Sequence, residues 1–231
     1  MTEDKTAIRN AATVIVVRDR KTTPRVLMGQ RGSNAVFMPN KFVFPGGAVD
    51  AEDADVPLTH MINEPCLSRL KDMSDPALIH PICVATIREL FEETGQILGV
   101  EGTWEGPVPK DWKAFAEAGF LPDASAMQYV FRAITPPGRP RRFDARFFFV
   151  DADLLKSNLD DFSAASEELS HLQWIPLDQV RQYDLPFITE VVLAEISARV
   201  ADNAPPDSVP FFKNDDEDSA FLRLRGYKMP L

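Results

Sequence analysis

Residues 88–95 read RELFEETG and place three carboxylates, Glu89, Glu92 and Glu93, within little more than one helical turn. Side chains three and four apart on a helix are neighbours, and like charges there destabilise it by roughly 0.2–0.5 kcal/mol per pair. At about 100° per residue, Val84, Ile87, Leu90 and Phe91 share an apolar arc of roughly 120°, while the glutamates fill an arc of roughly 100° opposite. One face is suited to packing and the other to presenting oxygen. Gly95 stands where a helix C′ residue adopts the left-handed conformation, which predicts a helix from about 82 to 94. Taken alone, the pattern reads as a solvated acidic face; a phosphate-binding loop beside it would give the acids a task.

Such a loop stands upstream. FVFPGG at 42–47 runs a short apolar strand into a Pro-Gly-Gly turn, and Gly46 and Gly47 allow a sharp bend and a close backbone approach. Before it, AATVIVVR (11–18) and RVLMGQR (25–31) read as strands joined by a polar turn. Residues from about 51 to 80 are rich in Asp, Pro and Asn and read as a helical or irregular insertion.

After the acidic helix, a strand is expected near 97–104 and a short helix around DWKAFAEAG. A further helix is expected in PDASAMQYVFRAI, with Asp123 as its N-cap. TPPGRPRR breaks the pattern as a loop. FDARFFFV and ELSHLQWIPL read as strands, and PLDQVRQY and PFITEVVLAEISARVAD as helices. The expected division is a domain over 1–202, with insertions about 54–80 and 105–140, and a C-terminal tail over 203–231.

The 231 residues are 45% hydrophobic and 26% charged, enough to bury a substantial core. A net charge of −10 argues against general affinity for nucleic acid or an anionic membrane. An anionic substrate would therefore need metal ions or clustered arginines. MTEDKTAIRN lacks the basic and apolar regions of a signal peptide, and no stretch approaches the ~18 apolar residues of a membrane span. Cys66 and Cys83 show neither metal-motif spacing nor a disulfide framework. The expectation is a soluble, reduced, cytoplasmic protein. No nucleophile elbow or cysteine nucleophile competes for chemistry, and His60, His80 and His171 show no metal spacing.

With the insertion folded out, PGG (45–47) and RELFEETG resemble the box of the Nudix hydrolases, a glycine followed by an acid and then R-E-U-x-E-E-x-G-U, U being bulky and aliphatic. The likeness runs from Gly47 through Asp53, or Glu52 if the loop slips by one, to Arg88, Glu89, Leu90, Glu92, Glu93 and Gly95. Asp53 and Arg88 lie 35 positions apart where the family has 8, so 27 residues interrupt the box. Two departures stand out: Asp53 in place of Glu, and Gln96 after the final glycine.

The resemblance implies an α/β fold, an α/β/α sandwich around a mixed sheet, with one insertion in the box and a second, helical one before the RRFDARFF strand. It implies that Glu89, Glu92 and Glu93 are metal ligands, joined by the main-chain carbonyl of Gly46, and that Arg88 orients the glutamates with Asp53 bracing it. Hard Mg²⁺ or Mn²⁺ suits such oxygen ligands, offsets the repulsion and can activate water against a diphosphate. Glu92 and Glu93 are thereby catalytic candidates, with Glu168 (or its neighbour Glu167) as a later acid acting as ligand or general base.

TPPGRPRRFDARFFFV (135–150) and MPNKFVFPGGAVD (38–50) resemble a branch of the superfamily that has an interrupted box and includes coenzyme A diphosphatases. That likeness implies hydrolysis of coenzyme A or acyl-CoA to 3′,5′-ADP and a phosphopantetheine, and it allows a homodimer. Arginine forks suit phosphate, so Arg142 and Arg146, from the group Arg139, Arg141, Arg142 and Arg146, are the preferred ligands for the 3′-phosphate, with Arg31 a further candidate. The alternatives are NADH, ADP-ribose or another nucleotide-linked diphosphate as substrate, and an inactive Nudix-like binding or regulatory module.

Overall fold

A computed structural model describes residues 7–202, 204–214 and 219–226. Its elements in chain order are β1 (Ile8–Arg18), β2 (Arg25–Arg31), β3 (Phe42–Val43), β4 (Gly46–Ala48), α1 (Cys66–Lys71), α2 (Ile79–Thr94), β5 (Gly99–Glu101), α3 (Lys113–Glu117), β6 (Phe120–Pro122), β7 (Gln128–Ile134), β8 (Arg142–Asp151), β9 (Leu169–Pro176), α4 (Phe187–Ser197), β10 (Val209–Asn214) and β11 (Ser219–Leu224).

The centre is β1, a run of β-branched residues buried on both faces, as a strand paired in parallel and covered by helices should be. It pairs parallel with β8 over ten residues and antiparallel with β2 and β4. The main sheet has the order β11-β10-β7-β8-β1-β2-β3, with β4 on β1 and β9 on β2, and β5 and β6 form a separate hairpin. Val14, Val16, Phe148 and Val150 share one core layer with Ile87 and Leu90 of α2. Ile15, Val17, Phe147 and Phe149 share the other with Val192, Leu193 and Ile196 of α4. Alternate side chains thus feed opposite layers of an α/β/α sandwich.

Three expectations are corrected. PDASAMQYVFRAI does not open a helix: Asp123 accepts a 2.8 Å hydrogen bond from the Ser125 N–H, forming a turn, and the chain continues as β7. A register shift between Tyr129 and Phe131 puts Tyr129 in the α2 layer and both Val130 and Phe131 in the α4 layer, erasing the alternation that marks a strand. The second insertion is therefore helical only at α3, and β7 is an inner strand of the main sheet. PLDQVRQY makes only a 3₁₀ turn at Val180–Gln182. Much of the expected tail joins the sheet, because β10 pairs parallel with β7 and antiparallel with β11. Residues 203, 215–218 and 227–231 of that segment lie outside the described residues. Among the described residues no helix is long and apolar enough to cross a membrane.

Candidate active site

The site forms where the Pro-Gly-Gly turn meets the C-terminal half of α2. Gly46 has φ of +152°, and a side chain there would collide with the Ala12 carbonyl, so glycine lets β4 leave the turn hugging β1. A methyl group on Gly47 would strike the Glu89 carboxylate. The two glycines therefore bring the backbone against the acids: the Gly46 N–H donates to Glu93 Oε2 at 2.7 Å. Gly95, in the left-handed conformation, ends α2 and donates its N–H to the Phe91 carbonyl at 2.7 Å.

The arc expected to face solvent is largely closed. Glu89 is 8% and Glu93 1% exposed, and only Glu92 of the three is half-buried. Arg88, 6% exposed, lies between them and the insertion. Its Nε and Nη2 donate to the two Asp53 oxygens at 2.8 and 3.0 Å, and its Nη1 donates to Glu89 Oε1 at 2.9 Å and Glu92 Oε2 at 3.1 Å. Nη2 also reaches the Ala48 carbonyl at 2.9 Å. Asp53 is buried while Glu52 is exposed, so Asp53 is the acid that meets the box arginine. Asp50, which the sequence reading passed over, adds a carboxylate oxygen 3.4 Å from Nη2.

Burial raises the pKa of all three glutamates, Glu89 to about 7, and the neighbouring carboxylates add to the shift. For Glu93 the Glu89 charge is the second cause, and Glu93 Oε1 is buried with no hydrogen-bond partner. Arg88 pulls Glu89 and Glu92 the other way without overcoming desolvation. Asp111, from the 3₁₀ turn Lys110–Trp112 that leads into α3, is close enough to raise Glu92 further, and no sequence signal marks it. Among the described residues no three metal-binding side chains form a ready-made cage; Glu89 and Glu92 share Arg88 Nη1, and Glu93 is bonded to the Gly46 N–H. An orphaned buried carboxylate oxygen among mutually repelling acids nevertheless suits a hard cation.

Glu168 precedes β9 and joins this cluster. Its Oε1 accepts from Arg31 Nη2 at 3.0 Å, and its charge is felt by both Glu89 and Glu93. Its side chain is 56% exposed and that of Arg31 22%. Arg31, at the end of β2, is therefore brought to the site.

Arg142 and Arg146 are not placed for substrate. They are 4% and 1% exposed. Arg142 donates to the Thr135 and Asn214 carbonyls at 3.1 and 3.0 Å, tying β8 to the β7 exit and to β10. Arg146 donates to Asn10 Oδ1 at 2.7 Å and lies 3.2 Å from Asp144, which also holds Arg132. Alternating inward positions on a buried strand gave these arginines structural partners, and no guanidinium face is left in solvent.

The sandwich and this glutamate face define a Nudix-type protein, and comparisons with known proteins agree. Over 179 residues, 72% of this chain, the sequence is 31% identical to nudix hydrolase 7 of Caenorhabditis elegans, and the chain spans about half (51%) of that relative's length. The crystal structure of a Nudix hydrolase from Alicyclobacillus acidocaldarius superposes with a TM-score of 0.61 at 25% identity, covering 84% of this chain and 93% of that one. No family-wide sequence profile matches. The chain belongs to the Nudix hydrolase superfamily.

Proposed function

We propose that the protein is a metal-dependent hydrolase of a nucleoside diphosphate linked to another moiety, with coenzyme A or acyl-CoA as the leading substrate. The observation that carries the reading is the cluster itself: Glu89 and Glu93 buried and Glu92 half-buried, Arg88 bonded to Glu89 and Glu92, one Glu93 oxygen unpartnered, and a turn whose Gly46 leaves no room for a side chain. Glu89, Glu92 and Glu93 would hold Mg²⁺ or Mn²⁺. Once bound, such an ion neutralises charge on the diphosphate and eases deprotonation of water.

The chain's own groups supply the rest. Arg88 keeps Glu89 and Glu92 oriented and offsets their repulsion, and Asp53 fixes Arg88 from behind. Glu168, half in solvent and adjoining the cluster, accepts the proton of the attacking water as its oxygen bonds to phosphorus and a phosphoanhydride P–O bond breaks. Arg31 offers a forked donor to a phosphate oxygen. Preference for coenzyme A rests on the likeness of residues 38–50 and 135–150 to that branch, because Arg142 and Arg146 are occupied within the fold.

The test is hydrolysis of coenzyme A, acetyl-CoA, NADH and ADP-ribose with Mg²⁺ or Mn²⁺, products identified by mass and Glu92→Gln as the blank. Release of 3′,5′-ADP from the CoA substrates alone supports the full reading. Cleavage of NADH or ADP-ribose alone replaces the substrate, and binding without cleavage of any of the four replaces the enzyme by a binding module.

A further inference from the structure

Gln96 follows the glycine that ends α2, where the superfamily pattern has a bulky aliphatic residue. It is fully buried. Its Nε2 donates to the main-chain carbonyls of Asn158 at 3.1 Å and Asp161 at 3.2 Å, and its Oε1 accepts from Ser157 Oγ at 2.8 Å. Ser157 Oγ in turn accepts from the Ile97 N–H at 3.0 Å, and the Lys156 N–H donates to the Ile97 carbonyl at 2.9 Å. An aliphatic residue at 96 would form none of the side-chain bonds and would leave two carbonyls facing an apolar group. Buried polar groups left in that way cost more than a hydrogen bond contributes on average.

The segment held by these bonds connects β8 to β9 and delivers Glu168. Downstream of Gln96's partners, Ala164 packs over Gly95, whose added Cβ would lie 3.1 Å from the Ala164 Cβ. The Ser166 N–H donates to the Glu92 carbonyl at 2.7 Å. Two residues later Glu168 meets Arg31 beside the glutamates. The loop thus has one anchor on the exit of α2 and another on the backbone of Glu92 itself.

We propose that Gln96 is a positioning residue that clamps the β8–β9 loop to the end of α2 and so holds Glu168 against the glutamate cluster. It deepens the function proposed above and rests on it for the catalytic consequence, though not for the clamp. The superfamily's aliphatic residue would fill the same space by non-directional burial. Two hydrogen bonds to main-chain carbonyls and one from the Ser157 hydroxyl instead fix where the loop runs, and placement errors of about 1 Å far from the chemistry can cost of order a hundredfold in rate.

The experiment compares the full chain with Gln96→Met, which keeps length and removes the hydrogen bonds, with Ser157→Ala, with Glu168→Gln, and with the Gln96→Met/Glu168→Gln pair. Amide hydrogen exchange is read across 157–168 and across α2, and kcat and KM are read on whichever of the four diphosphates is cleaved. The clamp predicts faster exchange in 157–168 of Gln96→Met with α2 still protected, kcat lower by about tenfold at nearly unchanged KM, and no added loss in the double variant. Unchanged exchange in the loop, or an equal loss of kcat with and without Glu168, overturns it. Should Gln96→Met not fold, Ser157→Ala decides by the same readouts, with Ser157→Thr restoring the wild-type values. If the wild-type chain cleaves none of the four, the functional reading falls, and loop exchange in the variants alone upholds or rejects the clamp.

Discussion

Arg88 and Asp53, 35 residues apart in the chain, meet through two parallel hydrogen bonds of 2.8 and 3.0 Å in a buried site. The pair closes the interruption in the box: it pins the start of the inserted segment to the acidic helix and leaves Nη1 to hold Glu89 and Glu92. Breaking a buried pair from one side leaves the other charge uncompensated. Arg88→Met should lower unfolding free energy by about 3–5 kcal/mol in urea denaturation, and Asp53→Ala by somewhat less because Arg88 keeps other acids. Wild-type stability in both variants would contradict this role.

Gly47→Ala pushes a methyl group into the Glu89 carboxylate. Hydrolysis should fall at least about tenfold, while stability drops by only about 1–3 kcal/mol, the usual cost of overpacking. Thermal denaturation and turnover measured on the same preparation separate the two effects.

The glutamates give the metal-free protein a defined pH dependence. Glu89 titrates near pH 7 in the folded chain against a reference of 4.5, because burial disfavours its charge, and Glu93 is raised likewise. Between those values the folded state binds more protons than the unfolded state, so these groups make stability fall as pH rises from about 4.5 towards 7. Protons and metal compete for the same oxygens, so Mn²⁺ affinity should increase over that window. Urea denaturation of the metal-free protein at pH 5.5 and 8 checks the stability trend, and calorimetric Mn²⁺ titrations at the same two values check the affinity trend; equal affinity at the two values would count against these ligands.

Arg31 and Glu168 should divide substrate binding from proton transfer. Arg31→Ala is expected to raise KM with a smaller effect on kcat, and Glu168→Gln to lower kcat by roughly 10²–10⁴ with KM little changed. Arg146→Met, by contrast, should reduce stability and leave KM alone, since its partners Asn10, Asp144 and Ser74 lie within the fold.

The parts of the fold that read clearly from sequence are those whose periodicity has one cause. Val14 to Val17 and Phe147 to Val150 read as strands because both faces are buried, and α2 reads as a helix because its apolar arc and Gly95 agree. Where two causes overlap, the pattern misleads. The irregularity at Tyr129 and Phe131 imitates helical spacing, and β10 and β11 lie in a segment whose acidic stretch suggests a solvated tail. Carboxylate spacing points to Glu89, Glu92 and Glu93 because the helix alone brings them together. Arg142 and Arg146 mislead because arginines on a buried strand look the same in sequence as arginines lining a phosphate pocket. Asp111 and the Gln96 contacts depend on long-range packing and leave no local trace.

The most direct measurement is hydrolysis in H₂¹⁸O with Mg²⁺ or Mn²⁺ for the wild type and Glu93→Gln, followed by mass analysis of both products. Metal-dependent incorporation of one ¹⁸O into a phosphate product, lost in the variant and under chelation, is the predicted result. Hydrolysis that persists without metal, or at the wild-type rate in Glu93→Gln, would contradict the assignment of catalysis to the glutamate face.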